Sequence, residues 1–310
     1  MILVGSTGFV GTNLVRTNKF SSLYHRTNVQ EAYGSNPDVL VYAGVTGTKF
    51  LANKDPEKDL ETINNAIVNI KNINPQKLIL ISTVDVNGNL CSDERQMIEK
   101  SIFGYYGNHR LMLEKWVQSN ISDYNIIRLP AIYGLGLKKN FVYDLIHVIP
   151  TMLTEQLFVK LTKDISDIEQ AYEKGTDGYF HYQNTNRIMQ KELRKKFLEA
   201  SINAFMFTDK DSCYQYYNLA WLWNDIEQVV KNNIKIINLV TQPVKSSELF
   251  ERIYGHEFTN KIDSMPVKYD LKTTYDYVFG TKNGYIYNKV KVMDDLQKFI
   301  EKSIDDVYNF

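Results

Sequence analysis

The sequence MILVGSTGFVG, residues 1–11, decides the fold of this chain. Its first four residues are apolar and predict a short buried strand, and an amphipathic helix is expected directly after the glycines. A strand, a glycine-rich turn and a helix N-terminus together form a binding site for a pyrophosphate. Gly5 permits the tight turn, Gly8 lets backbone approach the ligand, and Gly11 lets the helix pack against the strand. The spacing is G-x-x-G-x-x-G rather than the more usual G-x-G-x-x-G.

Apolar runs alternate with helical segments through the rest of the first 136 residues. The predicted strands are Phe20–Tyr24, Val39–Val45, Lys77–Thr83 and Tyr124–Leu129, and the predicted helices are Pro56–Ile73 and Ser101–Gln118, with Thr46–Lys54 as a loop. Because the strands are apolar throughout, they are expected to be buried on both faces. The pattern therefore predicts an α/β fold with a Rossmann-like, doubly wound parallel sheet.

The pattern changes beyond Gly136. Residues 137–210 read as helices rich in Lys, Glu, Gln and aromatic residues, and Ile234–Val240 then resembles another strand of the sheet. We therefore predict a nucleotide-binding domain of residues 1–136 plus about 214–241. The remainder, residues 137–213 plus 242–310, is predicted to form a smaller, mostly helical substrate-binding or cap domain.

Composition limits the classes of partner and compartment. Lys plus Arg and Asp plus Glu each number 36 among 310 residues, so no net charge attracts nucleic acid or an anionic membrane. The two cysteines, Cys91 and Cys213, provide no disulfide framework, and no cluster of His, Cys or carboxylates has metal-ligand spacing. No apolar run is long enough to cross a bilayer, and no signal peptide is expected. The sequence thus predicts a cytoplasmic protein whose partner is a small molecule.

Four polar residues downstream of the glycine loop point to chemistry. Thr83 ends a predicted strand, and the carboxyl ends of such strands line the ligand crevice. Tyr106 and Arg110 are one helical turn apart, and a cation beside a phenol favours its ionised form. Arg26 follows the second strand, where an acidic residue usually binds the ribose 2′-hydroxyl. An Arg there suits a 2′-phosphate, although a solvated polar residue explains this position equally well.

These motifs resemble those of the extended short-chain dehydrogenase/reductases, the NAD-dependent epimerase/dehydratase family that acts on nucleotide sugars. GSTGFVG matches the family's cofactor loop, STVDV its hydroxyl-bearing strand end, YGNHRLMLE its Y-G-x-x-K-x-x-x-E helix, and RLPAIYG the segment before its substrate domain. The match covers residues 1–136 and is looser at Tyr217–Ile226 and Lys235–Val240. The short connection before Val39 is more like that of the family's reductases than that of its longer-looped epimerases.

The resemblance implies an NAD(P)-dependent reductase or epimerase of a nucleotide-linked sugar, with keto-sugar reduction favoured. It makes Tyr106 the acid/base, Thr83 the residue that orients the substrate oxygen, and Arg110 the group that holds the ribose and biases the Tyr. NADP is favoured over NAD because of Arg26. The positions expected to contact the cofactor are Gly5, Thr7, Gly8, Phe9, Val10, Gly11, Arg26, Ala43, Gly44, Tyr106 and Arg110. The family often dimerises through the Tyr-bearing helix, where Leu111, Leu113 and Val117 serve either a dimer or the core.

One departure from the family keeps an alternative open. The family's lysine, which also passes protons to a water chain, is Arg110 in this sequence, and a guanidinium cannot release its proton. The alternative is a non-catalytic member that senses the dinucleotide without turning it over. A second candidate pair, Tyr105 with His109, has the same spacing but loses the Gly and Glu matches.

Overall fold

The structure is a computed structural model that describes residues 1–166, 168–183, 186–200 and 202–308. Its strands are β1 (Ile2–Val4), β2 (Ser22–Tyr24), β3 (Val39–Tyr42), β4 (Lys77–Thr83), β5 (Tyr124–Leu129), β6 (Ala131–Tyr133), β7 (Met152–Leu153), β8 (Tyr172–Lys174), β9 (Phe180–Tyr182), β10 (Cys213–Tyr214), β11 (Tyr216–Asn218), β12 (Ile236–Asn238) and β13 (Val244–Lys245). Its helices are α1 (Phe9–Thr17), α2 (Lys49–Lys54), α3 (Pro56–Ile73), α4 (Gly104–Asn120), α5 (Phe141–His147), α6 (Glu155–Asp164), α7 (Arg187–Glu199), α8 (Leu222–Lys231), α9 (Ser246–Tyr254) and α10 (Lys289–Tyr308). Among the residues described, no helix combines the length and the apolar character that a membrane span needs.

The chain divides into two compact units. Unit 1 comprises Met1–Gly136, Gln215–Pro243 and Tyr269–Val292, and unit 2 comprises Leu137–Tyr214, Val244–Lys268 and Met293–Phe310. The sequence analysis assigned all of residues 242–310 to the second domain, and the structure corrects this for residues 269–292.

The segment Tyr269–Val292 belongs to unit 1 through both apolar and polar contacts. Ile286 is fully buried in the same core cluster as Leu3 of β1. The hydroxyl of Tyr287 donates a hydrogen bond of 2.7 Å to Asp225 Oδ1 on α8. The residues that make these contacts do not recur with the period of a helix or a strand, so the sequence pattern did not reveal them.

A six-stranded parallel sheet forms the centre of unit 1, in the order β12-β5-β4-β3-β1-β2. The predicted doubly wound α/β fold is therefore confirmed. Because β2 and β3 lie on opposite sides of β1, the chain reverses its winding direction there. Val4 and Tyr42, the last residues of β1 and β3, are paired in register. In sheets of this kind ligands bind in the crevice outside the carboxyl ends of the strands at such a reversal.

Both faces of the sheet are covered by helices. Successive residues of β3 point to opposite faces, so that Leu40 packs into a cluster with α3 while Val41 packs into a second cluster with α8. Ile70 of α3 and Ile226 of α8 are fully buried in these two clusters. Strands buried on both faces must be apolar throughout, which is why the sequence pattern located them.

Helix α4 uses its apolar positions inside unit 1. Leu113 and Val117 lie in the core cluster beneath α3, and Leu111 lies in a smaller cluster with Val86 and Ile98. The sequence left open whether these three residues form a dimer interface or part of the core. All three side chains are buried in the core of unit 1. They are therefore not exposed on α4, where a dimer interface would need them.

Unit 2 is mostly helical, with α5, α6, α7 and α9, but it also contains small sheets. Strands β7, β9 and β8 form a three-stranded antiparallel sheet, and β10 pairs antiparallel with β13. Each of these strands has only two or three residues, too few for a periodic pattern, so the sequence analysis missed them. In unit 1 it also missed α2, because Lys49–Lys54 was predicted to be loop.

A buried ion pair joins α4 to the sheet. Glu114 on α4 accepts hydrogen bonds from Arg128 on β5, with Arg128 Nη2 2.6 Å from Glu114 Oε2, and from the Ser82 hydroxyl on β4 at 2.5 Å. Both charged side chains are buried. Removing one member of such a pair leaves the other charge unpaired in the interior, which costs more than the pair itself contributes.

We therefore expect Glu114→Ala to lower the free energy of unfolding by about 3–5 kcal/mol, because it leaves the Arg128 guanidinium buried without its carboxylate. The matched control is Asp123→Ala, which breaks the half-exposed pair with Lys77 and should cost less than about 1 kcal/mol. Urea unfolding followed by circular dichroism measures both. Equal losses in the two variants would contradict this account of the pair.

Candidate active site

The glycine loop lies at the carboxyl end of β1. Gly5 has a φ of +94°, a left-handed backbone conformation that residues other than glycine rarely adopt. A Cβ at this position would also collide with the Ala43 carbonyl. A Cβ at Gly11 would collide with the Gly5 carbonyl oxygen. Thr7 and Gly8 are exposed. Gly5 and Gly11 therefore allow the tight turn and the close packing of α1 that the sequence predicted.

The start of α1 is open to an anion. Gly8 is the N-cap and provides no side-chain oxygen for the first-turn N–H groups, and no acidic residue occupies this turn. Phe9 and Val10 begin the helix and are half-buried. Free N–H groups and the positive end of the helix dipole favour a negatively charged ligand at this position.

The ends of β2 and β3 lie next to this loop. The N–H groups of Gly5 and Ser6 donate to the Tyr24 carbonyl at 2.8 and 3.1 Å, so the residues after β2 are held beside the loop. Arg26, two residues further on, is exposed. On the β3 side the Ala43 N–H donates to the Val4 carbonyl at 2.8 Å, and Gly44 follows as an exposed residue. Apart from Tyr106 and Arg110 on α4, the predicted cofactor positions thus lie at or after three adjacent strand ends.

Tyr106 and Thr83 lie together at another strand end of the same sheet. Tyr106 is in the first turn of α4 and is 8% exposed. The side chain of Thr83, the last residue of β4, lies close enough to the Tyr106 side chain to lower its pKa. A phenol and an alcohol placed together in this way can both contact one oxygen atom of a bound molecule.

Two local features fix α4 in this position. A Cβ at Gly107 would collide with the Ser101 hydroxyl and the Asp85 carbonyl, so only glycine allows α4 to lie this close to the residues after β4. The Tyr106 N–H, unsatisfied within its own helix, donates to Asn53 Oδ1 on α2 at 3.0 Å. Helix α2 therefore caps α4, a role usually filled by a residue next to the helix in sequence.

Arg110 is bound by a carboxylate that the sequence analysis did not identify. Its Nη1 and Nη2 donate to the two oxygens of Asp59 on α3 at 2.5 and 2.8 Å. They also donate to the carbonyls of Tyr106 and Thr46 at 3.1 and 2.7 Å. His109 Nδ1 lies 2.8 Å from the same Asp59. Burial opposes ionisation of Asp59, but the hydrogen bonds and charges of Arg110 and His109 outweigh it and lower the pKa of its carboxyl.

The pKa of Tyr106 is raised rather than lowered. Burial is the largest cause, and the guanidinium of Arg110, 4.0 Å from the centre of the Tyr106 ring, opposes it. The charges of Asp85 and Asp59 raise the pKa further, whereas the Thr83 side chain lowers it. Arg110 acts in the expected direction, but burial outweighs its charge, so the expected net lowering is not found.

The second candidate pair, Tyr105 with His109, is separated from this site. Tyr105 is 56% exposed, and its ring lies 5.8 Å from that of His109, whose ring nitrogen is held by Asp59. The residue next to it in sequence, Tyr106, faces inward to Thr83. The geometry therefore favours Tyr106.

No signal in the sequence marked Asp59 as the partner of Arg110. It follows the N-cap Asp55 and lies in the acidic first turn of α3 with Glu57, where carboxylates are common because they favour the helix dipole. One consideration could have found it: an Arg in the inward-facing register of a helix needs a buried carboxylate close by.

The sheet order and the glycine loop define an α/β protein of the Rossmann type, and known structures share its fold. A dTDP-4-dehydrorhamnose reductase from Yersinia enterocolitica is 12% identical, with 98% of each chain covered and a TM-score of 0.62. A dTDP-4-dehydrorhamnose reductase from Bacillus anthracis, in complex with NADP, is 14% identical, with 97% of each chain covered and a TM-score of 0.60. A UDP-N-acetylglucosamine 4-epimerase from Methanobrevibacter ruminantium, in complex with UDP-N-acetylmuramic acid, is 10% identical, with 98% of each chain covered and a TM-score of 0.62.

No protein-family model matches the chain, and no curated protein matches it. At these identities the structural likeness establishes the fold. The resemblance that the motifs predicted is thus confirmed at the level of the fold.

The Asp59–Arg110 pair generates a pH-dependent prediction. Because the folded-state pKa of Asp59 is lowered, the pair's stabilisation is complete above the unfolded pKa of about 4 and is lost as the pH falls further. We expect Asp59→Asn to lower the free energy of unfolding by about 3 kcal/mol at about pH 6, and this deficit should shrink below about pH 4.

Urea unfolding of the wild type and the variant across this pH range measures the deficit. Asp93→Asn is the control, because Asp93 pairs with an exposed Arg95 and should change stability by less than about 1 kcal/mol at any pH. A deficit that stays constant with pH would show that the Asp59 charge is not what stabilises this site.

Proposed function

We propose that this chain is an NADP(H)-dependent reductase of a nucleotide-linked keto-sugar. The observation that carries the proposal is the pairing of buried Tyr106 with Thr83 at the same edge of the sheet as the glycine loop. The solved reductase structures with this fold, one of them in complex with NADP, support the choice of reaction and cofactor.

The residues around the loop fit a dinucleotide. Gly5 and Gly11 allow the tight turn and the packing of α1, exposed Gly8 would let backbone approach a pyrophosphate, and the uncapped N-terminus of α1 offers N–H donors. Arg26 follows β2, where the adenosine ribose binds in folds of this kind, and its exposed guanidinium can form two hydrogen bonds with a 2′-phosphate. Ala43 and Gly44 would line the other side of the loop.

When bound, NADPH would supply the hydride that reduces the sugar ketone. Hydride addition makes the ketone oxygen an alkoxide, and the Tyr106 phenol would donate its proton to that oxygen while the Thr83 hydroxyl stabilises it. Arg110 would hold the start of α4 in place through the Tyr106 carbonyl.

The Tyr106 hydroxyl carries its proton at neutral pH, because burial raises its pKa above the ordinary value, and the protonated phenol is the form that reduction uses. A buried phenol that stays protonated at neutral pH is ready to act as an acid, and reduction needs an acid in its first chemical step. Epimerisation of these sugars begins with an oxidation, which needs a base at the same position.

The second candidate is a protein that binds the dinucleotide without turning it over. The observation in its favour is that the terminal nitrogens of Arg110 are already bonded to Asp59, Thr46 and Tyr106, and that a guanidinium cannot pass on a proton. Binding needs only the glycine loop and the residues after β2.

Cofactor choice can be tested by titrating NADPH and NADH. Arg26→Ala should weaken NADPH binding by about 10- to 100-fold, because it removes the charge-assisted hydrogen bonds to the 2′-phosphate. NADH binding should change little. Arg16→Ala, at the far end of α1, is the control and should affect neither. Equal affinities for the two cofactors, unchanged by Arg26→Ala, would contradict the assignment of NADP.

The role of Tyr106 can be tested with a matched pair of neighbouring tyrosines. Tyr106→Phe should lower the rate of NADPH oxidation with a nucleotide-linked 4-keto-sugar by about 100-fold or more, because the acid is lost. NADPH binding should remain. Tyr105→Phe changes an exposed ring and should leave the rate unchanged. If NADPH binds tightly but no keto-sugar is reduced by the wild type, the binding-protein alternative is favoured.

A further inference from the structure

We propose that Asn53 on α2 is the positioning residue for Tyr106, and that it makes the position of Tyr106 depend on the cofactor-binding segment after β3. This inference rests on the proposed function. It is carried by two hydrogen bonds that hold the main chain of Tyr106 and that lead back to the same short segment, residues 43–54.

Both main-chain groups of Tyr106 are bonded to side chains. Its N–H donates to Asn53 Oδ1 at 3.0 Å, and its carbonyl accepts from Arg110 Nη1 at 3.1 Å. The other terminal nitrogen of Arg110, Nη2, donates to the Thr46 carbonyl at 2.7 Å. One bond therefore comes from α2, and the other comes from a side chain that is itself bonded to the loop before α2.

The carboxamide of Asn53 fits the first turn of α4 closely. The N-cap residue of α4, Phe103, has an apolar side chain, which cannot accept a hydrogen bond from the N–H groups of this turn. Asn53 Oδ1 accepts one of them, and Asn53 Nδ2 donates to the Phe103 carbonyl at 3.4 Å. Gly104 permits this approach, because a Cβ there would lie 2.9 Å from Asn53 Oδ1. Asn53 thus binds the helix start at two points.

Helix α2 also reaches the Thr83 side of the site. Lys49 Nζ on α2 donates to Asp85 Oδ2 at 3.0 Å, and the Asp85 N–H donates to Thr83 Oγ1 at 3.1 Å. Thr83 Oγ1 accepts in this bond, so its hydroxyl hydrogen can be donated to a substrate oxygen. Helix α2 is therefore joined to Tyr106 through Asn53 and to the turn after Thr83 through Lys49.

Polar contacts rather than apolar packing hold α2 in place. Phe50 and Leu51 are 60% and 57% exposed, and Ala52 is the buried residue of this six-residue helix. An element with so little buried apolar surface opens locally at a low cost in free energy. A ligand that binds to the loop before α2 can therefore make the helix more rigid.

The loop before α2 adjoins the glycine loop. The Ala43 carbonyl lies so close to Gly5 that a Cβ on Gly5 would collide with it. Under the proposed function, a dinucleotide bound at the glycine loop contacts Ala43 and Gly44. Its binding restricts residues 43–48 and, with them, α2. Tyr106 is then held most firmly when the cofactor is present, which is when a reduction can begin.

A first experiment follows the Tyr106 N–H itself and needs no substrate. Amide hydrogen exchange resolved by NMR should be about 10-fold faster at Tyr106 in Asn53→Leu than in the wild type, because the acceptor is lost. Asn53 is exposed, so the variant should fold. Asn53→Asp keeps an acceptor oxygen and should exchange like the wild type. The Leu157 N–H, which donates to Thr154 on α6, is the internal control and should not change.

The same measurement with NADPH tests the coupling to the cofactor. In the wild type, saturating NADPH should slow exchange of the Tyr106 N–H by about 10-fold and leave the Leu157 N–H unchanged. NADPH should still bind to Asn53→Leu, but this slowing should be absent. Exchange at Tyr106 that Asn53→Leu does not change, or that NADPH slows equally in both proteins, would overturn the inference.

A second experiment measures turnover with NADPH and dTDP-4-dehydrorhamnose. Asn53→Leu should lower kcat by about 10- to 100-fold, because displacing a catalytic group by about 1 Å costs about that much in rate. The KM for NADPH should stay within about twofold of the wild-type value, since the glycine loop is unchanged. Asn53→Asp should restore most of kcat. Thr154→Ala removes the N-cap of another helix, α6, and is the matched control that should leave kcat unchanged.

The outcomes separate the two proposals. If the wild type reduces the probe and Asn53→Leu reduces it equally fast, Asn53 does not position Tyr106 and the proposed function stands. If the wild type reduces no nucleotide-linked keto-sugar while exchange at Tyr106 responds to Asn53→Leu and to NADPH as stated, the proposed reaction fails and the coupling stands. A wild type that binds no NADPH contradicts both.

Discussion

A buried guanidinium requires a carboxylate, and this requirement organises the site. Because Arg110 lies inside unit 1, Asp59 must face it, and their bidentate ion pair joins α3 to α4. The same guanidinium binds the Thr46 carbonyl in the loop after β3 and so holds that loop as well. The pair also leaves the neighbouring phenol in an environment with little net positive charge. Burial has the largest effect on that phenol: it raises the pKa of Tyr106 and keeps its hydroxyl protonated at neutral pH.

The fold was predictable because its determinants are local in sequence. Each strand of the parallel sheet is buried on both faces and is therefore a continuous apolar run. The glycine loop is equally visible, since Gly5 and Gly11 allow backbone contacts that no side chain would permit. The same kind of reasoning placed Thr83 at a strand end and Tyr106 on the following helix. Their roles in catalysis stay predictions.

What the sequence did not reveal depends on contacts between residues far apart in the chain. In the sequence, Asp59 is an ordinary acidic residue in the first turn of a helix. Asp85 belongs to the STVDV motif, in which only the hydroxyl group of Thr83 was given a role. The six-residue helix α2 follows a glycine-containing loop and is too short to show a helical period, yet its Asn53 binds the N-terminal turn of α4 at Tyr106. The net effect of Arg110 on Tyr106 could not be judged without knowing that Asp59 is present.

The three-part composition of unit 1 has a consequence for how the protein is made. Strand β12, at one edge of the parallel sheet, and Ile286, which packs with Leu3, come from segments that follow an insertion of some eighty residues. A ribosome adds about 5–20 residues per second. For several seconds, the newly made residues 1–136 therefore have β5 unpaired on one side and part of their apolar surface exposed to solvent. Unit 1 is completed only when the last of its segments, Tyr269–Val292, has left the ribosome.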